Sequence, residues 1–171
     1  MTDKSNTPKE FKDSWRTPIQ VFRKLHDEFN FKLDAAASDA NHLCDKYITE
    51  TQDTLTTEWS CYVGRGDYVW MNPPYSNPMP FIIKAAKENE SNGIGCVMLL
   101  PRDPSVRWFS EATSTAHEVR LVTDGRLSFI SEESGKPVNG NNKGSIIIIW
   151  HPRARIGDCK ITTATRRSLL A

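Results

Sequence analysis

The chain has 171 residues, 38% of them apolar and 25% charged, which is the length and composition of a single soluble globular domain with a normal core. A net charge of +1 excludes the strongly basic type of nucleic-acid binder, and the longest apolar run, residues 146–150, is far too short to cross a membrane. Cys44, Cys61, Cys96 and Cys159 form no C-x-x-C pair, which speaks against a disulfide framework or a zinc site, and His42 and Cys44 lack further partners at ligand spacing, so no metal is expected.

Residues 1–14 are polar, with one proline and no apolar stretch of the signal-peptide kind, and read as a flexible leader. With reduced cysteines, this gives the expectation of a cytoplasmic protein. Thr17-Pro18-Ile19-Gln20 predicts a helix start: Thr17 as the cap, Pro18 in the first helical position and Gln20 closing a capping box. Ile19, Phe22, Leu25 and Phe29 then fall on one helical face, and Asn30 ends the helix. Residues 31–34 alternate as a strand that stops at Asp34, followed by the small residues 35–38. Tyr47-Ile48-Thr49 predicts a short strand, and residues 55–59 a further element.

Residues 67–71 read as an apolar strand running into Asn72-Pro73-Pro74-Tyr75. Two prolines cannot continue a strand, so the chain must turn there in a stiff, extended shape. An amide and an aromatic ring are thereby held at a strand's carboxyl end, where open α/β sheets bind ligands. The amide oxygen and a rigid carbonyl can accept hydrogen bonds from an exocyclic amine, and the ring can stack on a flat heterocycle. The same residue types also make ordinary turns.

Asn77 and Pro78 predict the next helix start, with Phe81, Ile82, Ala85 and Ala86 as its apolar stripe and Asn92-Gly93 as its stop. Residues 94–100 are almost continuously apolar, the pattern of a strand buried on both faces. Asp103-Pro104 predicts a helix cap, with Val106, Phe109 and Ala112 apolar behind it. Residues 118–122 read as a strand, Leu127 and Phe129 as a shorter one, 131–143 as a polar loop and 146–150 as a last buried strand. The alternation predicts an α/β sandwich with a mostly parallel central sheet and one late antiparallel strand. Residues 153–171 predict a basic tail: residues 151–171 carry a net charge of +4, against −3 over residues 1–60. Such a tail either touches phosphates or is a solvated end.

The order of these features resembles the S-adenosylmethionine-dependent, amino-methylating DNA methyltransferases, and within them the small phage-type DNA adenine methyltransferase family. The likeness runs over roughly residues 13–152. It is carried by Trp15-Arg16-Thr17-Pro18, residues 31–38, Tyr47-Ile48-Thr49, Asp53-Thr54-Leu55 with Trp59, and residues 72–76. Residues 98–101 with Arg107-Trp108-Phe109, residues 125–130 and residues 145–150 complete it. The resemblance implies a Rossmann-like class I methyltransferase sandwich whose catalytic domain is residues 15–152, encoded by a phage or prophage and working in the bacterial cytoplasm as a monomer or weak dimer. It implies that Asn72 and the Pro73 carbonyl, stiffened by Pro74, accept hydrogen bonds from the adenine amine, and that Tyr75 stacks on an adenine flipped out of double-stranded DNA.

It further implies S-adenosylmethionine bound by Trp15 and Thr17 before the first strand, by Asp34, Ala35 and Ala36 at its end, and by Asp53 near the adenine ring of the cofactor. Asp34 also suits a capping role and Asp53 a solvated loop. Arg102, Arg107, Arg126 and Phe129 fall where DNA contacts are expected, although Phe129 equally suits strand packing and Arg107 a helix surface. The chain departs from the family pattern at residues 35–38, where Ala and Ser replace a glycine-rich turn. Glu50 is the candidate for the cofactor ribose. Two alternatives stand beside this reading: methylation of another amine (RNA adenine, cytosine N4 or a protein glutamine), and a non-catalytic DNA-binding decoy with the same fold.

Overall fold

The structure is a computed structural model that describes residues 13–138 and 143–171. Its centre is a seven-stranded sheet in the order β3-β2-β4-β5-β8-β6-β9. The strands are β2 (Leu33–Ala37), β3 (Tyr47–Thr49), β4 (Tyr68–Met71), β5 (Gly95–Pro101), β6 (Glu118–Thr123), β8 (Ser145–Trp150) and β9 (Lys160–Thr165). Neighbouring strands are parallel except at β8, which runs antiparallel to both β5 and β6. A separate two-stranded ribbon pairs β1 (Trp15–Arg16) with β7 (Ile130–Ser131).

The helices α1 (Ile19–Phe29), α2 (Met79–Asn92), α3 (Arg107–Thr115) and α4 (Arg166–Leu170) cover both faces. The period-2 alternation of strand side chains sorts the core into two layers. Cys96, Met98 and Leu100 of β5 join Ile146, Ile148 and Trp150 of β8 on the face covered by α2 and α3. Val97, Leu99, Ile147 and Ile149 face the other way, onto α1 and Leu169 of α4. Burial on both faces is why β5 and β8 are nearly all apolar in sequence.

Several expectations are corrected. Helix α1 begins at Ile19, because Pro18 takes an extended conformation (φ −56°, ψ 129°) and occupies the cap position itself. Thr17 is therefore one residue too early to cap, no side chain does so, and Ile19 is 40% exposed. Asn30 closes α1 in a left-handed conformation, as its position predicts. Helix α2 starts behind Pro78 with no side-chain cap from Asn77. Asp103 bonds the backbone and hydroxyl of Ser105 within its own turn, four residues before α3 begins. Strand β2 does not stop at Asp34 but continues through Ala37. The further element expected over residues 55–59 is a single 3₁₀ turn that starts only at Trp59 and runs to Cys61. Leu127 and Phe129 are buried outside any strand. Of the expected loop 131–143, residues 139–142 lie outside the described residues, as does most of the expected leader.

The largest difference is at the C-terminal end. Residues 153–171, expected as a tail outside the core, supply β9, registered along the whole of β6, and α4, whose Leu169 is only 4% exposed. Four hydrophilic residues and an exposed Ile161 hide this strand from any hydrophobic period.

Candidate active site

The parallel strands β2, β4, β5 and β6 all end at one edge of the sheet, and the Asn72-Pro73-Pro74-Tyr75 turn leaves β4 there, near its middle. The β1–β7 ribbon lies over this edge. Asn72 Nδ2 donates to the Trp15 carbonyl at 3.3 Å, which fixes the amide's orientation. Its Oδ1 is buried with no partner among the described residues. A buried acceptor left unsatisfied is costly, so it marks a place where a donor is expected to arrive. Just beyond the turn, Asp13 accepts from the Ser76 hydroxyl at 2.6 Å and its backbone N–H at 3.0 Å, so residues 13–17, a strap that includes β1, are tied to the turn a second time. Pro73 is buried and Pro74 lines the cleft described next.

Tyr75 is half-buried, with its ring edge-on to Phe129 at 5.9 Å. Trp15 also stacks on Phe129, at 5.8 Å. The Tyr75 hydroxyl is buried without a partner among the described residues, and burial pushes its ionisation far above the usual range. Phe129, 1% exposed, thus serves as the packing under two aromatic rings and offers no surface to DNA. Arg102, Arg107 and Arg126 are exposed beyond β5, at the start of α3 and beyond β6, on the same edge but outside the cleft.

A cleft of about 900 Å³ opens between the strap and the ends of β2 and β3. Trp15, Thr17, Asp34, Ala35, Ala36 and Asp53 all line it, and so do Asn72 and Pro74. Asp34 is 3% exposed; it accepts from the Leu43 N–H at 2.9 Å and the Ala36 N–H at 3.4 Å. Burial pushes its carboxyl up to about 6, against the opposing pull of those two N–H groups and of nearby His42. The Thr17 hydroxyl, buried and without a partner among the described residues, is a second polar atom awaiting a ligand. Ala35 and Ala36 add only methyl groups to the floor, so a ligand can approach the backbone closely even without glycine.

The far wall is the loop after β3, with Glu50 on its rim and Asp53 in a left-handed turn (φ 57°). It is anchored from behind. The Trp59 indole donates to Thr54 Oγ1 at 2.7 Å, and the Trp59 backbone N–H donates to Glu88 Oε1 at 3.1 Å. Glu88 is buried and paired at 2.7 Å with the buried Lys84 of the same helix turn.

Two acidic residues of the cleft were not among the sequence candidates. Glu132 reaches it from beyond β7 and is bonded by Ser38 Oγ (3.4 Å) and Arg16 (3.5 Å), and Asp13 lines the near rim. Neither carries a local signal, since only the β1–β7 pairing brings them there. His117 and His151 sit at the opposite edge: His117 contacts the Arg153 carbonyl at 2.8 Å, and His151 contacts Tyr68 Oη at 2.7 Å.

The site therefore joins an orphaned amide acceptor beside an aromatic ring to an acidic cleft floored by a buried carboxylate. The first suits an amine on a flat ring, and the second suits a cationic ligand. A family model described as DNA N-6-adenine-methyltransferase (Dam) matches residues 4–171. The DNA N-6-adenine-methyltransferase of Haemophilus phage HP1 (strain HP1c1) is 40% identical over 162 residues, 94% of this chain and 91% of that protein. That of Escherichia phage T1 is 40% identical over 160 residues, covering 85% of this chain but 65% of the T1 protein.

Proposed function

Since the chain belongs to the DNA N-6-adenine-methyltransferase (Dam) family, we infer that it transfers a methyl group to the N6 amine of adenine at specific sites in DNA. The observation that carries this reading is the orientation of Asn72: its N–H₂ is spent on the Trp15 carbonyl, and its oxygen is left as an unpaired acceptor.

S-adenosylmethionine, which this enzyme class implies, would supply an electrophilic methyl group on a cationic sulfonium. The cleft fits it. Asp34 offers a buried negative charge to a cationic ligand, the Thr17 hydroxyl lacks a partner, and the methyl side chains of Ala35 and Ala36 permit close approach. Glu50 and Asp53, both on the loop wall, would hold its ribose and its adenine part, respectively. The strand order, with one antiparallel strand inside an otherwise parallel sheet, supports the Rossmann-like class I fold.

The adenine amine is a weak nucleophile because its lone pair is delocalised into the ring. Asn72 Oδ1 and the Pro73 carbonyl would accept hydrogen bonds from its two N–H groups and draw the nitrogen toward a tetrahedral form; one of the two protons would pass to solvent once the methyl group is bonded. These acceptors are held in place before reaction, so they strengthen toward the transition state at little reorganisation cost. The prolines and the Asp13–Ser76 bonds keep the turn rigid, which gives the alignment that in-line displacement requires. Reaching this site requires the target adenine to leave the duplex stack, and the Tyr75 ring would take it up by stacking. No cysteine enters this scheme.

Incubation with unmethylated duplex DNA and a methyl-labelled donor tests the reading. Label retained on the DNA supports it. Label found only on protein, or on neither, overturns it.

A further inference from the structure

The carboxyl edge of the sheet is divided by charge at β4. On the β2–β3 side the cleft is lined by Asp13, Asp34, Glu50, Asp53 and Glu132, the last paired with Arg16 behind it, and by no lysine or arginine among the described residues. On the β5–β8–β6–β9 side the same edge carries Arg102, Lys143, Arg126, Arg166 and Arg167, offset by Asp103 and Asp124. The Asn72 turn stands at the boundary between the two.

Two glycines adjoin arginines on the basic side, and at the first of them the missing side chain makes room. A Cβ at Gly125 (φ +110°) would lie 3.0 Å from Arg166 Cδ, so the bare backbone lets the Arg166 stem cross the turn after β6, next to Arg126. A Cβ at Gly144 would lie 3.4 Å from Arg102 Nε, and the Gly144 carbonyl accepts from the Arg102 N–H at 2.7 Å. The Arg167–Asp124 contact is 3.6 Å long and largely in water, so a stronger anion can displace it at little cost.

Strand β9 splits the basic C-terminal segment between opposite edges. Arg166 and Arg167 follow it, on the side of the Asn72 turn. Arg153, Arg155 and Lys160 precede or open it, about 20 Å away for six residues of strand. There Arg155 donates to the Thr113 carbonyl at 3.1 Å, closing the end of α3.

We propose that the basic half of this edge, running from Arg102 to Arg166 and Arg167, is the track on which the phosphate backbone of duplex DNA lies while a base enters beside Asn72. The track rests on the methyltransferase reading and adds the residues that hold its substrate. Four strand spacings separate β4 from β9, roughly 19 Å, within the reach of a single duplex. The acidic half repels the same polyanion and keeps it from the cationic-ligand cleft. The contacts set position and carry no base preference.

The test is duplex binding by fluorescence anisotropy across a range of salt concentrations. Replacing both upper arginines, Arg166→Gln with Arg167→Gln, should lower the slope of log affinity against log salt by about 1.8, two contacts at about 0.9 each. Arg153→Gln with Lys160→Gln removes the same charge at the other edge and should leave the slope unchanged. Arg166→Lys with Arg167→Lys should restore it, which separates charge from folding. An unchanged slope in the upper pair, an equal fall in both Gln pairs, or no rescue by lysine overturns the track. A protein that binds duplex along this track but methylates no adenine overturns the functional reading instead.

Discussion

Tyr75 shows how a single residue's surroundings decide what its atoms do. Its hydroxyl is buried without a partner among the described residues, so it contributes nothing that a ring alone would not. Tyr75→Phe is therefore expected to keep near-normal transfer and to raise the melting temperature slightly, by removing an unsatisfied buried group. Tyr75→Ala should lose about 1–3 kcal/mol of transition-state binding, the worth of base–aromatic stacking. Steady-state kinetics on duplex DNA distinguishes the two, and a Phe variant as impaired as the Ala variant would give the hydroxyl a role that this account denies. Asp34 carries a pH signature. Its carboxyl is pushed up to about 6 from 3.8, so between those values the folded state holds a proton that the unfolded state has released. Fold stability from this group is thus greatest at low pH and declines by about 3 kcal/mol as pH rises through the window. Affinity for a cationic ligand runs the opposite way and weakens as pH falls through about 6. Calorimetric titration with S-adenosylmethionine should show Asp34→Asn binding at least about tenfold more weakly at neutral pH, with the wild-type dependence near pH 6 gone.

At the scale of elements, the C-terminal pair β9 and α4 belongs to the core it edges. Leu169 packs in the same layer as Phe22, Val122 and Ile147. Leu169→Ala should cost about 2 kcal/mol in denaturant unfolding, near the low end for buried leucines because α4 is short. An unchanged midpoint would mean that α4 does not hold the fold. This pair was illegible in the sequence for a physical reason: a polar edge strand buries neither face and so leaves no period to read. Strands β5 and β8 were legible because burial on both faces forces unbroken apolar runs. The Asn72 turn and Asp34 could be read because each is a local event, a strand stopped by proline or a carboxylate in an apolar segment. Asp13 and Glu132 could not be, since a partner more than 60 residues away sets their place. The start of α1 moved by one residue because Pro18 took the cap position itself, which freed the Thr17 hydroxyl for the cleft.

Over the whole molecule, a net charge of +1 conceals a polarised surface. The acidic side of the sheet edge suits a cationic methyl donor, the basic side suits a polyanion, and the Asn72 amide stands where the two meet. On the proposed function, the amine presented to that amide is N6 of adenine in DNA. The most direct test is digestion of treated, previously unmethylated duplex DNA to nucleosides, followed by mass analysis, with the wild-type chain and Asn72→Ala side by side. N6-methyladenine is the expected methylated nucleoside with the wild type. With the variant its yield should fall at least about a hundredfold, from removing an acceptor that would strengthen in the transition state, while calorimetry shows the methyl donor still bound. Methylated cytosine in place of methylated adenine, or full N6-methyladenine formation by Asn72→Ala, would contradict it.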